Sequence, residues 1–383
     1  MEDFKIKDFD FEEEYRKLKE NLKKPNILIC GATGVGKSSL INEFFGKELA
    51  SVSNGKPETR GVKKYEQSDK DIIIYDSEGY EIGNEKLSTF KENVIGYIDD
   101  RIKENMSVYE HIHLVWYAIS AGNKRINDLD IATINEIKSK NVSVCILITQ
   151  IDTVDEEELD ELINVIKSEI KGVKYFRLSK DEDVPKEYLD KDELIQWSMD
   201  NLDESLKNGF ISSLDNKLES KRTLIKRKVI KKYTITAMAI GATPIPIPDS
   251  VALISLQTAM ASHILSLWGI DKFKGAMESL IGSSIMSQCG KYLAKEGVAK
   301  VLKLVPGCGS IAGGLINATI ARTFTSALGN AISELCFRYA NALKDDKNVD
   351  ILEIFSSESI IELINFYLRD MSNKKDVEVG ING

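Results

Sequence analysis

The sequence predicts an α/β fold with a mostly parallel sheet, followed by a second domain built only of helices. Between residues 25 and 207, short apolar runs alternate with stretches of helical periodicity. This alternation is typical of parallel strands that helices cover on both faces. After Asn208-Gly209 the strand pattern stops and long, weakly charged helical stretches follow. We expect four parts: an N-terminal helix at 1–24, the α/β domain at 25–207, a helical domain at 208–373 and a disordered tail at 374–383.

The individual elements of the α/β domain follow from the positions of the apolar runs. Amphipathic stretches between these runs predict helices near 37–46, 85–104, 127–139, 155–170 and 187–206. The strand-like runs are Asn26–Cys30, Ile72–Tyr75, His111–Ser120, Val142–Thr149 and Val173–Leu178. A further long helix is expected over 211–232.

Composition excludes several classes of protein. The chain has 383 residues, 43% of them hydrophobic, which suits a globular protein with large cores. A net charge of −9 argues against a general nucleic-acid binder. Five cysteines without a CxxC pair indicate reduced thiols. The charged N-terminus lacks a signal-peptide pattern, so we expect a cytoplasmic protein.

The stretch GATGVGKSS, directly after the strand NILIC, has the pattern of a phosphate-binding loop. In such a loop the backbone N–H groups wrap the phosphates, the lysine neutralises the β- and γ-phosphate oxygens, and the serine hydroxyl reaches Mg²⁺. A strand before the loop and a helix after it are the required context, and both are predicted here. The candidate phosphate-binding residues are Gly31, Thr33, Gly34, Val35, Gly36, Lys37, Ser38 and Ser39.

Two motifs further along supply candidates for the metal and the γ-phosphate. Thr59, in PETRG, lies in a predicted loop from which its hydroxyl can complete a Mg²⁺ shell together with Ser38. Asp76, in DSEG after the strand DIIIYD, can hold a metal-bound water, and the N–H of Gly79 can contact the γ-phosphate. We therefore expect Ser38, Thr59 and Asp76 to serve the metal. Lys37, Thr59 and Gly79 are the candidates for catalysis.

Two later motifs indicate guanine as the base. Thr149-Gln150-Ile-Asp152 closes the strand VSVCILIT, and the Asp152 carboxylate can accept from guanine N1–H and its 2-amino group. Adenine offers neither donor. Ser179 and Lys180, after the last strand, can bring a backbone N–H to guanine O6. Each residue alone has a plainer interpretation, such as Thr59 as loop polarity or Asp152 as a helix cap. Their order at the carboxyl ends of strands predicts a site for GTP or GDP with Mg²⁺.

These five motifs, with HIHLVWYAISAGNKR on the strand between them, resemble those of the Era-like branch of translation-factor-related P-loop GTPases. The resemblance covers about residues 25–205 and implies hydrolysis of GTP as a molecular switch. Two positions depart from the commonest pattern of such proteins. Gln150 stands where lysine usually stacks on guanine, and Tyr80 stands where many small GTPases carry the glutamine that orients water. We therefore expect slow intrinsic hydrolysis. His111 and His113 have no metal-ligand companions in the pattern and are interpreted as structural.

The second domain resembles a helical domain of uncharacterised function that is fused to some of these GTPases. The similarity rests on GATPIPIPDSVALISLQTAMASHILSLWG and VPGCGSIAGGLINATIARTFTSALGNAISE, within about residues 235–340. It implies a shape and no established activity.

Three interpretations of the uncharged segment Ser250–Ile270 remain open: a soluble helical core, reversible membrane binding, or a permanent span. Ser255, Thr258, Ser262 and Ser266 form a hydroxyl stripe, which favours close contact between helices. Seven basic residues between 221 and 232 suit either a solvated face or an anionic membrane surface. RNA is not expected as a partner, because nothing after residue 210 has the pattern of a GxxG backbone clamp.

The sequence supports two hypotheses of function. In the first, a GTP-hydrolysing switch repositions its helical domain or changes its partners. In the second, a dynamin-like module uses GTP mainly to form a homodimer and acts on an anionic membrane through residues 221–270.

Overall fold

The computed structural model describes residues 16–18, 20–46, 56–68, 70–80, 87–103, 106–242, 249–269, 313–345 and 350–380. These residues form two compact units, one spanning Leu22–Lys217 and the other made of the described residues on either side of it. Most of the predicted N-terminal helix at 1–24 lies outside the described residues.

The first unit is built on a seven-stranded sheet. Its strands are β1 Asn26–Gly31, β2 Lys56–Pro57, β3 Val62–Glu66, β4 Ile73–Ser77, β5 Leu114–Ser120, β6 Ser143–Thr149 and β7 Lys174–Arg177. They lie in the order β2-β3-β4-β1-β5-β6-β7. The pairs β1–β4, β1–β5, β5–β6 and β6–β7 are parallel, which confirms the predicted mostly parallel α/β fold.

One edge of this sheet is not apparent from the sequence. Strands β2 and β3 pair in antiparallel fashion, and β3 continues antiparallel to β4. The segment VKKYE is short and carries two lysines and a glutamate, which is common at sheet edges but weak as a strand signal. This edge matters because it places Lys63 directly opposite Asp76.

Helices cover the sheet as predicted. In the first of them, Leu40, Ile41, Phe44 and Phe45 are buried, which confirms the apolar face expected from the sequence. The helices of this unit are α1 Lys37–Phe45, α2 Leu87–Arg101, α3 Asp128–Ser139, α4 Glu156–Glu169, α5 Lys191–Asp200 and α6 Glu204–Ser213. The predicted helix at 187–206 is thus two helices.

The first unit extends to Lys217, ten residues beyond the boundary that the sequence suggests at 207. The added segment is held by specific contacts. Phe210 on α6 packs against Phe45 with ring centroids 6.3 Å apart. Lys70 pairs with Asp215 at 2.6 Å, and Lys217 pairs with Glu43 at 2.8 Å. The helix expected over 211–232 is accordingly interrupted after Ser213 and begins again at Leu218.

The second unit is helical throughout its described part. One continuous helical segment comprises α7 Leu218–Leu224, a π-helical stretch Ile225–Ile230 and α8 Lys231–Ala242. The remaining helices are α9 Asp249–Trp268, α10 Gly313–Lys344, α11 Ile351–Ile354 and α12 Ser357–Gly380. Helix α12 continues past residue 374, where the sequence suggests disorder, because neither proline nor glycine interrupts it before Gly380.

The hydroxyl stripe of α9 is largely buried. Thr258, Ser262 and Ser266 are each at most 4% exposed, in line with close helix packing. On α10, a Cβ at Gly329 would lie 2.9 Å from Cγ2 of Ile230, so a side chain there would push the helices apart. Among the described helices, none has the length and apolar character needed to cross a bilayer.

The three cysteines in the described part of the chain are free and buried. Cys30 and Cys145 lie inside the sheet, and Cys336 is buried in the helical unit. Burial raises the pKa of all three thiols, so they are protonated and unreactive at neutral pH.

Candidate nucleotide-binding site

The phosphate loop joins β1 to α1 and depends on glycine at two points. Gly31 has φ = 135°, and a Cβ there would lie 2.1 Å from the carbonyl oxygen of Ala118 on β5. Gly36 has φ = 91° and is the N-cap of α1. The loop therefore ends at a helix N-terminus, where free N–H groups and the helix dipole favour an anion.

The Lys37 side chain lies inside this loop. Its ammonium group donates to the carbonyl oxygens of Gly31 at 3.0 Å and Ala32 at 2.9 Å. Burial lowers its pKa, and the nearby Asp76 carboxylate acts in the opposite direction. The lysine is thus a cation held in place by the backbone of the loop.

A cavity of about 590 Å³ opens beside the loop. It brings six predicted phosphate-loop residues together with Asp76 and Gly79, and adds three residues that the sequence analysis did not select. The lining residues are Thr33, Gly34, Gly36, Lys37, Ser38, Ser39, Lys63, Asp76, Ser77, Glu78 and Gly79. Gly31 and Val35, also predicted, contribute backbone to the loop without lining the cavity.

Asp76 is the acidic group of the cavity. Burial raises its pKa to about 6, while Lys37 and Lys63 lower it. Its Oδ1 atom is buried and has no hydrogen-bond partner among the described residues, and the same holds for the hydroxyl of Ser77. An unpartnered carboxylate oxygen close to a phosphate loop suits a hydrated Mg²⁺, which prefers oxygen ligands.

Lys63 is the residue that sequence reasoning missed. No motif marks it, and only the pairing of β3 with β4 reveals that it stands across from Asp76. Its side chain is exposed and lines the cavity. It therefore adds a second cation to the site, besides Lys37.

Gly79 contacts the phosphate loop directly. A Cβ at this position would lie 2.5 Å from the backbone nitrogen of Thr33. The N–H of Thr33 donates to the carbonyl oxygen of Tyr80 at 2.9 Å. The segment after β4 therefore packs on the loop through backbone contacts that no residue larger than glycine permits at position 79.

Thr59 is not brought to the cavity. It begins the short 3-10 turn Thr59–Gly61 and is exposed. Its neighbours attach this turn to helix α2: Glu58 pairs with Arg101 at 3.2 Å, and Arg60 pairs with Asp100 at 2.9 Å. In this structure two ion pairs therefore hold the candidate metal ligand Thr59 beside α2.

The predicted base-binding segment after β6 is joined to the phosphate loop. Thr149 Oγ1 donates to the carbonyl oxygen of Val35 at 2.8 Å, and Gln150 Nε2 donates to that of Gly34 at 3.3 Å. Gln150 adopts φ = 56°, and its Oε1 accepts from Ser120. The glutamine thus bridges the phosphate loop and the end of β5, at the position where lysine usually stacks on guanine.

Asp152 and Ser179 meet at the ends of neighbouring strands. The Ser179 hydroxyl donates to Oδ1 of Asp152 and accepts from the N–H of Asp181 at 2.9 Å. The carboxylate is thereby fixed in direction while it remains exposed. Lys180, the last predicted residue of this group, is exposed beside it.

His113, directly before β5, makes structural contacts, whereas Nε2 of His111 is buried without a hydrogen-bond partner among the described residues. His113 accepts from the N–H of Asn26 at Nδ1 with a distance of 2.8 Å, so its Nε2 carries the proton and donates to Val108 O at 3.0 Å. His113 therefore anchors the start of the strand, and no metal-binding cluster is found among the described residues.

The first unit has the fold of a P-loop GTPase domain. Residues 26–150 match the family described as 50S ribosome-binding GTPase. Septin-14 of Homo sapiens is 26% identical over 179 residues, covering 41% of this chain and 41% of septin-14. Septin-8-A of Danio rerio is 28% identical over 180 residues, covering 41% of this chain and 42% of that protein. The chain thus spans about two fifths of the length of these curated relatives.

Solved structures resemble about half of the chain. A probable GTP-binding protein EngB aligns with 17% identity and a TM-score of 0.32, over 48% of this chain and 98% of that protein. A single-residue variant of Aquifex aeolicus Era bound to GDP·AlF4⁻ aligns with 22% identity and a TM-score of 0.32, over 48% and 58%. At these scores the structural similarities decide nothing about function.

Proposed function

We propose that the chain binds GTP with Mg²⁺ and hydrolyses it to GDP and phosphate as a molecular switch. The observation that carries this proposal is the pair of hydrogen bonds from Thr149 and Gln150 to the phosphate loop. They join the segment proposed for the base to the segment proposed for the phosphates, which supports one continuous site for a nucleoside triphosphate.

Guanine would be selected by Asp152. Ser179 holds one carboxylate oxygen, so the group faces a fixed direction before the base arrives. Guanine offers two adjacent donors to such a carboxylate, whereas adenine offers neither and would bind more weakly.

The metal would be held by Ser38 and Asp76, with Thr59 as a further ligand. Mg²⁺ neutralises the charge of the β- and γ-phosphates when it is bound. The unpartnered Oδ1 of Asp76 supports its part in this set. Thr59 lies outside the cavity, so its turn would have to leave α2 for the threonine to contribute.

Slow intrinsic hydrolysis is proposed from the position of Tyr80. Its hydroxyl is bound to Asp130 in the core and its side chain is 5% exposed, so it offers no polar group to a water in the cavity. Lys37 and Gly79 would then act by charge and by a backbone N–H, without a general base.

The helical unit would couple the nucleotide state to a partner or a membrane. On α8, Ile235 is 55% exposed and Met238 is 40% exposed. Lys231 and Lys232 are exposed on the same helix. Apolar side chains flanked by lysines suit the surface of an anionic membrane.

This surface also favours the second candidate, a dynamin-like module in which GTP chiefly drives a homodimer and the helical unit acts on lipid. The Era-like assignment and a cytoplasmic or peripheral membrane location remain proposals beside it.

Competition of a fluorescent GDP analogue by GTP and ATP tests the site. We expect GTP to displace it at least about 100-fold better than ATP. Phosphate release should require Mg²⁺. Equal displacement by ATP would contradict the proposed function.

Sedimentation separates the two candidates. The full chain is spun with anionic vesicles, with and without a GTP analogue, and its mass is measured by analytical ultracentrifugation. Vesicle binding or dimerisation that appears only with the analogue favours the dynamin-like module. A change in sedimentation with the analogue that involves neither vesicle binding nor dimerisation favours the switch that acts on a protein partner.

A further inference from the structure

The helical unit contains a cavity that the proposed GTPase activity does not use. Its volume is about 190 Å³, and it lies between α7, the π-helical stretch, α10 and α12. Six residues line it, all with polar or charged side chains: Arg222, Thr223, Lys226, Asn330, Ser333 and Tyr367.

One wall of the cavity is held rigidly by Arg222. Its guanidinium pairs with Glu334 at 2.5 Å and with Glu219 at 2.7 Å. The same group lies over the ring of Phe337, 4.2 Å from the centroid. Arg338 pairs with Glu334 from the other side at 3.0 Å. Both glutamates are therefore compensated by arginine.

The remaining lining residues present uncommitted donors. The Ser333 hydroxyl accepts from Trp268 Nε1 at 3.3 Å, which leaves its own proton free to donate. Tyr367 is half-buried, and burial raises the pKa of its hydroxyl, with Glu334 and Asp370 acting in the same direction. It therefore stays protonated at neutral pH and can donate a hydrogen bond.

Lys226 gives the cavity a positive charge. It is exposed and has no acidic partner among the described residues. Lys221, in the same basic run, is placed differently: it is 1% exposed and lies over the ring of Trp268. A cation beside several neutral donors favours a ligand that carries acceptor oxygens and negative charge.

The backbone at Lys226 also departs from a regular α-helix. Lys226 belongs to the π-helical stretch Ile225–Ile230, which interrupts an otherwise α-helical segment. Such stretches are rare and occur frequently at functional sites. The cavity is also smaller than the roughly 300–1,000 Å³ of pockets that take drug-sized ligands, which restricts the ligand to a compact group.

We propose that this cavity binds a phosphate group, with Lys226 as its cation and the hydroxyls of Ser333 and Tyr367 as its hydrogen-bond donors. The group can belong to a free phosphate or to a phosphomonoester lipid headgroup, since both present the same oxygens.

Titration of the full chain with inorganic phosphate tests the proposal. The protein is first saturated with GDP and Mg²⁺, and binding is followed by calorimetry at fixed ionic strength. Lys226→Ala should weaken phosphate binding about ten- to hundredfold, as expected for one charge-assisted hydrogen bond. Tyr367→Phe should weaken it about three- to tenfold.

Lys231→Ala is the matched control, because it removes an exposed lysine one turn beyond the cavity, and it should leave the affinity unchanged. Lys63→Ala reports on phosphate bound at the nucleotide site. Equal losses in Lys226→Ala and Lys231→Ala, or a loss only in Lys63→Ala, would overturn the proposal.

Vesicles identify the source of the phosphate group. Sedimentation with phosphatidylcholine vesicles, with and without phosphatidic acid, is compared between wild type and Lys226→Ala. Binding that requires both phosphatidic acid and Lys226 assigns a lipid headgroup. Phosphate binding without vesicle binding assigns a free anion. If the wild type does not bind phosphate at all, the proposed site is wrong.

Discussion

The hydroxyl group of Tyr80 lies 2.7 Å from both carboxylate oxygens of Asp130. Tyr117 donates to the same carboxylate at 2.6 Å, and Asp130 is only 3% exposed. Because the carbonyl oxygen of Tyr80 accepts from the N–H of Thr33, this core network fixes the segment that carries Gly79 against the phosphate loop.

Tyr80→Phe removes a hydrogen bond to a buried carboxylate. We expect the free energy of unfolding to fall by about 1.5–3 kcal/mol, measured by urea denaturation. Tyr188→Phe, at a tyrosine that is 48% exposed, is the control and should change it by less than about 0.5 kcal/mol. Equal effects of the two variants would show that the network adds nothing to stability.

Lys37→Ala removes the cation of the phosphate loop. GTP affinity should fall at least about a hundredfold, because charge-assisted contacts to the phosphates are lost. The fold should persist, since the ammonium group of the lysine contacts backbone carbonyls of the loop. Calorimetry measures the affinity for GTP, and circular dichroism checks that the variant is folded. An unchanged affinity in a folded variant would remove the loop from the nucleotide site.

Lys63→Ala tests the cation that only the sheet pairing revealed. It should weaken GTP binding about five- to tenfold and GDP binding less, because in the proposed site the γ-phosphate would bring an extra charge near Asp76. Lys64→Ala is the neighbouring control, since Lys64 pairs with Glu66 at 2.7 Å. Calorimetry with both nucleotides makes the comparison. If Lys64→Ala has the larger effect, the assignment of Lys63 is wrong.

Asp152→Asn changes the base that the site accepts. GTP affinity should fall by about 2–4 kcal/mol, or roughly thirty- to several-hundredfold, while XTP gains affinity because an amide matches xanthine. Ser179→Ala should weaken GTP binding less, since it frees the carboxylate without removing it. Competition against a fluorescent GDP analogue measures the GTP and XTP affinities of Asp152→Asn and the GTP affinity of Ser179→Ala. XTP binding that is no better in Asp152→Asn than in wild type would refute the role of Asp152.

His263 makes the helical unit sensitive to acid. Burial lowers its pKa to about 4, with Lys232 acting in the same direction, and Tyr233 lies 3.5 Å from its Nδ1. The unfolded state gains the proton first, so stability is complete above about pH 6.5 and falls as the pH drops towards 4. The loss attributable to His263 should be about 2 kcal/mol at pH 5.

The measurement is urea denaturation of wild type and His263→Gln at pH 7 and pH 5. The variant should lose less stability between the two pH values than the wild type does. Identical losses would show that other groups govern the acid response.

The sequence by itself determined the α/β fold, its parallel strands and the phosphate loop. These features are local: the apolar runs specify buried strands, and GATGVGKSS carries its glycines where the backbone needs positive φ. The buried face of α1 also follows from periodicity alone. The roles of Thr59, Asp152 and the other site residues remain predictions until they are tested.

Tertiary structure decided what depends on contacts between distant segments. Lys63 faces Asp76 only because an edge strand pairs in antiparallel fashion, and strand pairing is set by register and not by local sequence. Tyr80 binds Asp130 across 50 positions, and the cavity at Lys226 forms only where three helical segments meet. Such contacts depend on packing over long sequence separations, which hydrophobic periodicity does not encode.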